Sequence, residues 1–288
     1  MPVEIRGLSY DYDQKTKFQK RALFDIGFTV RDGDFLGIVG HTGSGKSTLV
    51  THFNALNRVQ QGTVVVDGVD LSQKFDYKAL RAKVGMVFQY PEYQLFDETV
   101  YKDVAFGPKN LGLDEREIAV RVEAAIRMVG LDYDAVKERS PFELSGGQMR
   151  RAAIAGVLAM RPEILILDEP TAGLDPRGKR EVMRLIQGFR AMCKIIVMIS
   201  HNMDEVAANC SRIIVMNEGR VYGDYAPEEL FHNEELLSAL RIDMPAVCTL
   251  TRRLNERGFS LPEDTLDEAV LLERLVGAVR AKRGGGHA

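Results

Sequence analysis

Apolar and polar residues alternate at the start of the chain, at Val3 and Ile5 and again at Phe24, Ile26, Phe28 and Val30. A period of two marks half-buried antiparallel strands. The stretch "TVVVDGVDL" at 63–71 adds another strand and an Asp-Gly turn. Further along, the apolar runs are short, unbroken and rich in branched residues: "FLGIVG", "VGMVF", "ILILD", "KIIVMIS" and "RIIVM". Runs of this kind suit strands covered on both faces, as in a parallel sheet. Helical spacing appears between them, for example at Val182, Leu185, Ile186 and Phe189 within 176–190, with Asp175 as the cap and Pro176 in the first turn. The pattern predicts an α/β domain with a mixed sheet and an antiparallel flank.

Two regions depart from that alternation. Roughly 75 residues between "VGMVF" and "ILILD" have hardly any strand signal, and "REIAVRVEAAIRMVGL" among them is amphipathic, so a helical subdomain is expected at about 91–160. After about residue 225, "PEELFHNEELLSALRI" and "DEAVLLERLVGAVRAKR" read as helices around a turn-rich "NERGFSLPEDT". The reading is a main domain at 1–230 and a helical extension at 231–288, whose final "GGGHA" is expected to lack fixed structure.

Composition narrows the classes. The 288 residues suffice for a full core, and 45% hydrophobic with 27% charged is the ordinary globular balance. Lys plus Arg is 38 against 41 for Asp plus Glu, a net charge of -3, which argues against a dominant nucleic-acid surface. Cys193, Cys210 and Cys248 are scattered, which reads as reduced thiols and not as a disulfide frame or zinc site. The polar N-terminus is not that of a signal peptide, and no apolar run approaches the roughly 20 residues of a membrane helix.

The chemistry begins at "GHTGSGKST", residues Gly40, His41, Thr42, Gly43, Ser44, Gly45, Lys46, Ser47 and Thr48. It follows a strand and precedes the helical "TLVTHFNAL", the context of a G-x-x-x-x-G-K-[ST] phosphate loop. Glycines let backbone N–H groups turn toward phosphate oxygens, and the helix N-terminus adds positive potential. Lys46 would reach the β- and γ-phosphates and Ser47 would ligate Mg²⁺. "ILILDEP" places Asp168 and Glu169 at the carboxyl edge of a buried strand, where one carboxylate can hold Mg²⁺ and the next can orient or deprotonate an attacking water. His201 closes "KIIVMIS", and Gln89 follows "VGMVF" at the same edge. In "ELSGGQMRRA", Ser145 and Gln148 have the S-x-x-Q spacing of a capping box, so a helix is expected to begin at Gly146, with Gly147 beside it. That glycine-fronted end could be an ordinary cap or an anion site.

In order, "GHTGSGKST", "FQYPEYQLF", "LSGGQ", "ILILDEP", "AGLDP" and "SHN" resemble the motifs of the ATP-binding cassette (ABC) ATPases over roughly residues 1–230. The resemblance implies a head-to-tail dimer with two ATP molecules sandwiched between subunits, where Ser145, Gly146, Gly147 and Gln148 act on the nucleotide held by the partner. It also implies roles: Gln89 in the Q-loop, Asp168 as the magnesium aspartate, Glu169 as general base, His201 as switch histidine and Asp175 in the D-loop. Ala172 stands where many family members have serine. Tyr12 is the best match to the aromatic residue that stacks on adenine, with Phe18 as its rival. "FQYPEYQLFDETVYKDVAFGPKNLGL" and "LTRRLNERGFSLPED" are similar to ATPase subunits of energy-coupling factor (ECF) transporters, importers of vitamins and transition-metal ions, and "PEYQLF" to the second of their two ATPase types. That likeness implies a second ATPase subunit, in a heterodimer or else a homodimer, held partly by the extension at 231–288, a transmembrane coupling protein seated in a groove after Gln89, a membrane protein carrying the substrate, and a place at the cytoplasmic face of the cell membrane. The alternative is a soluble ABC ATPase acting on nucleic acid or ribosomes. That class usually adds coiled coils, zinc modules or tandem cassettes, none of which this sequence has.

Overall fold

The computed structural model describes residues 2–14 and 16–284. The polypeptide builds two sheets packed face to face. The first is antiparallel, in the order β2-β1-β4-β5, from Val3–Tyr12 (β1), Lys20–Val30 (β2), Gln61–Val66 (β4) and Val69–Asp70 (β5). The second contains Phe35–Val39 (β3), Val84–Val87 (β6), Ile164–Asp168 (β7), Ile195–Ile199 (β8), Arg212–Asn217 (β9) and Arg220–Tyr225 (β10), in the order β10-β9-β3-β8-β7-β6. Its four pairings from β9 to β6 are parallel, and only β10 runs against its neighbour.

The unbroken apolar runs are explained by burial on both faces. Leu36, Ile38, Ile164, Ile166, Val197 and Ile199 point into the core shared with the antiparallel sheet. Phe35, Val39, Leu165, Leu167, Ile196 and Met198 point into a second core, beneath the helices. The sheet therefore lacks a wet face, and its carboxyl edge is the place left for polar chemistry.

Helices follow in chain order: Lys46–Val50 (α1), Tyr77–Lys83 (α2), Val100–Leu111 (α3), Glu115–Met128 (α4), Tyr133–Val136 (α5), Gly146–Leu158 (α6), Pro176–Phe189 (α7), Met203–Asn209 (α8), Pro227–Phe231 (α9), Glu234–Leu240 (α10), Ala246–Glu256 (α11) and Glu268–Gly284 (α12). Their starts are chemically marked. Thr99 caps α3, Asp114 caps α4 and Asp175 caps α7, each accepting a hydrogen bond from a first-turn amide. The stretch between β6 and β7 is helical throughout its regular structure, as its missing strand signal predicts.

Three details differ from the sequence reading. The helix expected through "TLVTHFNAL" stops at Val50, because Asn54 and Thr51 divert the backbone: Asn54 Oδ1 accepts from Leu56 N, the Thr51 carbonyl takes two amides, and Ala55 turns left-handed at φ 53°. "PEELFHNEELLSALRI" forms two helices, since the Asn233 side chain accepts from Leu236 N and starts a second one. Ala246–Glu256 forms the α11 helix, an element outside the expected ones, with Val247, Leu250 and Leu254 at helical spacing. Of the terminal "GGGHA", residues 285–288 lie outside the described residues and Gly284 closes α12.

Candidate functional site

The site residues named from the sequence gather at the carboxyl ends of the parallel strands, with Asp168 as the last residue of β7. Gly40 to Ser47 follow β3, Gln89 follows β6, Glu169 follows β7 and His201 follows β8. Glu218 and Gly219, after β9, close the same cavity, which has a volume of about 530 Å³ and also contains Tyr12, Lys20, Arg21 and Phe24. That size suits a small organic ligand. Tyr12 lies in the cavity and its hydroxyl is 2.9 Å from Thr48 Oγ1, whereas Phe18 is 82% exposed and outside it.

The loop depends on its glycines. Gly40 has φ +143°, and a Cβ there would sit 2.1 Å from the Met216 carbonyl oxygen and 2.9 Å from Ser44 Oγ. Gly45 caps α1 at φ +98°. Gly40→Ala is therefore expected to destabilise the protein by at least about 2 kcal/mol, seen as a lower denaturant midpoint. A wild-type midpoint would mean the loop is not held against β9. His41 Nε2 lies 3.1 Å from Asn217 Oδ1, a second tie to the same strand end.

Lys46 is buried, and its ammonium donates to the carbonyls of Gly40 at 2.7 Å and His41 at 3.0 Å. Burial lowers its pKa, and the neighbouring charges of Glu169 and Asp168 oppose that shift. Asp168 is also buried, which raises its pKa, while a hydrogen bond from Ser47 and the charge of Lys46 pull it back. Ser47, Asp168 and Gln89 offer hydroxyl, carboxylate and amide oxygen, a hard set that suits Mg²⁺ and leaves room for phosphate oxygens and water. Among the described residues no three His, Cys, Asp or Glu side chains gather as a metal cage.

Glu169 is pinned from both sides. Its Oε2 accepts from Gln89 Nε2 at 2.9 Å, and its Oε1 lies 2.9 Å from His201 Nε2. Its backbone sits at φ 49°, left-handed for a non-glycine residue, with its amide bonded to the Ile199 carbonyl at 3.0 Å. Such a conformation costs about 1–3 kcal/mol and persists where surrounding contacts enforce it. A carboxylate so oriented beside a phosphate loop can take a proton from water.

The "LSGGQ" stretch stands apart. The capping box forms as expected: Ser145 Oγ accepts from Gln148 N, and Gln148 Oε1 accepts from Ser145 N at 3.0 Å. Ser145, Gly146 and Gly147 are exposed, and none of the four lines the cavity. A Cβ on Gly146 or Gly147 would meet nothing within 4 Å. Glycine in a helix costs up to about 1 kcal/mol relative to alanine, so this chain's own packing gives no reason for either. Asp175 is exposed and caps α7 through Gly178 N at 2.8 Å.

Sequence reasoning missed two buried polar groups. Glu205 accepts from Thr171 Oγ1 at 2.8 Å and Ser200 Oγ at 3.0 Å, tying the strand ends of β7 and β8 together; burial raises its pKa, and these two bonds oppose the rise. The N-x-x-E spacing of Asn202 and Glu205 was its visible signal. Arg150 is 2% exposed and pairs with Glu92, which no apolar pattern announces.

A phosphate loop, an Asp-Glu strand end, a strand-end histidine and a separate glycine-fronted helix, on this sheet order, define an ATPase of the ABC class. The family profile described as "ABC transporter" matches residues 23–172. The chain is 50% identical over 99% of its length, and 99% of the relative's, to the "Energy-coupling factor transporter ATP-binding protein EcfA2" of Symbiobacterium thermophilum. It is 46% identical to the protein of that description from Clostridium tetani, over 93% of this chain and 95% of that one. Among solved structures, cbiO1 of Clostridium perfringens, described as part of the ABC transporter complex cbiONQ, superposes with a TM-score of 0.72 at 36% identity, over 87% of this chain and 98% of that one. The ATP-binding cassette MJ0796, in a dimeric post-hydrolysis state bound to ADP and Pi, gives 0.69 at 27% identity, over 78% of this chain and 98% of that one. The chain belongs to the energy-coupling factor transporter ATP-binding proteins within the ABC transporter family, and it binds ATP as an ABC ATPase.

Proposed function

We propose that this chain is the ATP-hydrolysing motor of an importer of the energy-coupling factor type, working at the cytoplasmic face of the cell membrane in a heterodimer with a second ATPase. The observation that carries the reading is the Glu169 carboxylate, held between Gln89 and His201 at the mouth of the phosphate loop. Tyr12 stacks on the adenine, and residues 40–48 bind the phosphates. Ser47, Gln89 and Asp168 would hold Mg²⁺, which would supply charge neutralisation at the phosphates. Glu169 takes a proton from the attacking water as its oxygen bonds to the γ-phosphorus; the bond to the bridging oxygen breaks, leaving ADP and phosphate. His201 keeps Glu169 oriented, and Lys46 balances charge at the transferring group.

The partners follow from what the surface leaves available. Ser145, Gly146, Gly147 and Gln148 meet the ATP bound to the second subunit, and Asp175 lies at the same interface. A separate cavity of about 540 Å³, with Leu95, Phe96, Phe106 and Met160 on its wall, receives a helix of the transmembrane coupling protein. No helix of the described residues is long and apolar enough to cross a membrane, so that docking would supply attachment. We divide the chain into a cassette at 1–230, with its helical subdomain at about 91–160, and an extension at 231–288. Leu250, Leu272 and Val276 are exposed on α11 and α12 and suit pairing with the other ATPase. A membrane substrate-binding protein completes the complex.

The test is Ser145→Arg in the assembled complex. This chain's own ATP affinity is expected to stay near wild type, while nucleotide trapping at the site built from the partner's phosphate loop falls. Impaired trapping only at the site built on Lys46 would return "LSGGQ" to the status of a helix cap. Co-purification without any membrane protein would sink the importer reading.

A further inference from the structure

The Arg150 guanidinium, buried to 2% exposure, uses its donors on two segments other than its own. Nε and Nη2 bind Glu92 Oε2 and Oε1 at 2.9 and 2.8 Å, a bidentate fork. Nη1 donates to the carbonyls of Ala172 at 2.7 Å and Pro170 at 3.3 Å. Glu92 lies three residues after Gln89, Pro170 and Ala172 follow Glu169, and Arg150 itself sits in the second turn of α6, whose N-terminus is the glycine-fronted "LSGGQ". The guanidinium carbon also lies 5.8 Å from the centre of the Tyr90 ring. Tyr90 is bonded to Gln89 and has φ 55°, and its Cε1 would lie 3.1 Å from a Cβ on Gly173.

These contacts converge on the strained residue. The Ala172 amide donates to the Glu169 carbonyl at 3.1 Å, so the turn capped by Arg150 is the turn that holds Glu169 at φ 49°. The geometry points to Arg150 as a positioning residue: through the carbonyls of 170 and 172 and through Glu92 it keeps the Glu169 turn, the Gln89 segment and α6 in one arrangement. The inference rests on the reading of Glu169 as the base. Displacement of about 1 Å at a reacting group can cost about 10²-fold in rate, so loss of the fork is expected to lower kcat and not ATP affinity.

A buried ion pair is weak evidence for a stabilising role, because an apolar pair of similar volume can replace it without loss of stability. That property separates positioning from mere packing. In the assembled complex, Arg150→Met alone leaves the half-buried Glu92 carboxylate without its partner and is expected to lower the melting temperature. Adding Glu92→Leu is expected to restore melting to near the wild-type value. Turnover in the double variant stays at least about tenfold low, with KM for ATP within about threefold, since nothing then holds the carbonyls of 170 and 172. Arg150→Lys, which keeps charge but lacks the planar fork, falls between. The amides of Ala172 and Leu174, bonded to Glu169 and Thr171, should exchange with deuterium faster in the double variant. A double variant that is stable and turns over within about threefold of wild type overturns the inference. Glu169→Gln run alongside keeps the two readings apart. If that change is silent, the base assignment falls; if it is inactive while the double variant works, only the role of Arg150 falls.

Discussion

Glu169→Gln in the assembled complex is expected to cut turnover by about 10²- to 10⁴-fold, the usual share of a general base, while ATP still binds. The substitution is nearly isosteric and the pocket can accept it. The amide oxygen of the new side chain can still accept from Gln89 Nε2, and its NH₂ can donate to His201 if that ring is neutral at Nε2. The backbone twist at φ 49° stays within the same turn, because the Ile199 carbonyl and the Ala172 amide still bind the backbone. What disappears is the lone pair that takes the proton. ATP should then accumulate in a closed dimer, measured as retained unhydrolysed nucleotide together with phosphate release. A loss smaller than about tenfold would move the base to another group.

Lys46→Ala is expected to fail one step earlier. The ammonium is buried within electrostatic reach of Asp168 and Glu169, and the loop carbonyls of Gly40 and His41 hold it in place. Its removal takes away the charge that would face the β- and γ-phosphates, and it leaves two carboxylates close together without that counter-charge. Truncating one partner of a buried, hydrogen-bonded charge pair typically costs about 2–5 kcal/mol, or about 30-fold in affinity at the least. Equilibrium binding of a fluorescent ATP analogue reads this directly, and melting in the absence of nucleotide separates it from unfolding. Binding within about threefold of wild type would remove Lys46 from the site. The two variants differ in kind: Glu169→Gln keeps its nucleotide and Lys46→Ala does not.

Much of the fold was legible because its determinants are local or periodic. The parallel strands announced themselves as "FLGIV", "ILILD" and "IIVMI", since a strand covered on both faces has no polar period to hide. The capping box of Ser145 and Gln148 and the Asp175–Pro176 start of α7 close within a few residues of one another, so spacing alone specifies them. The phosphate loop is likewise a run of nine residues. Where local signals conflicted, reading failed. The side-chain bonds of Asn54 and Thr51 ended α1 against its helical spacing, and Asn233 split one expected helix in two.

By itself the sequence determined the α/β class, the phosphate cradle, the capped glycine-fronted helix and the order of motifs that marks the ABC ATPases. Each of these depends on residue identity at short spacing. Only the tertiary structure decided that Gln89, Glu169 and His201 share one carboxylate, because their strands become neighbours through the order β8-β7-β6 and not through proximity in the chain. It alone decided that Glu169 is left-handed, a conformation that no residue type states and that neighbouring contacts must enforce. The burial of Arg150 has the same origin. An arginine two positions after Gln148 reads as helix surface until Glu92 and the carbonyls of 170 and 172, from segments distant in sequence, close around it.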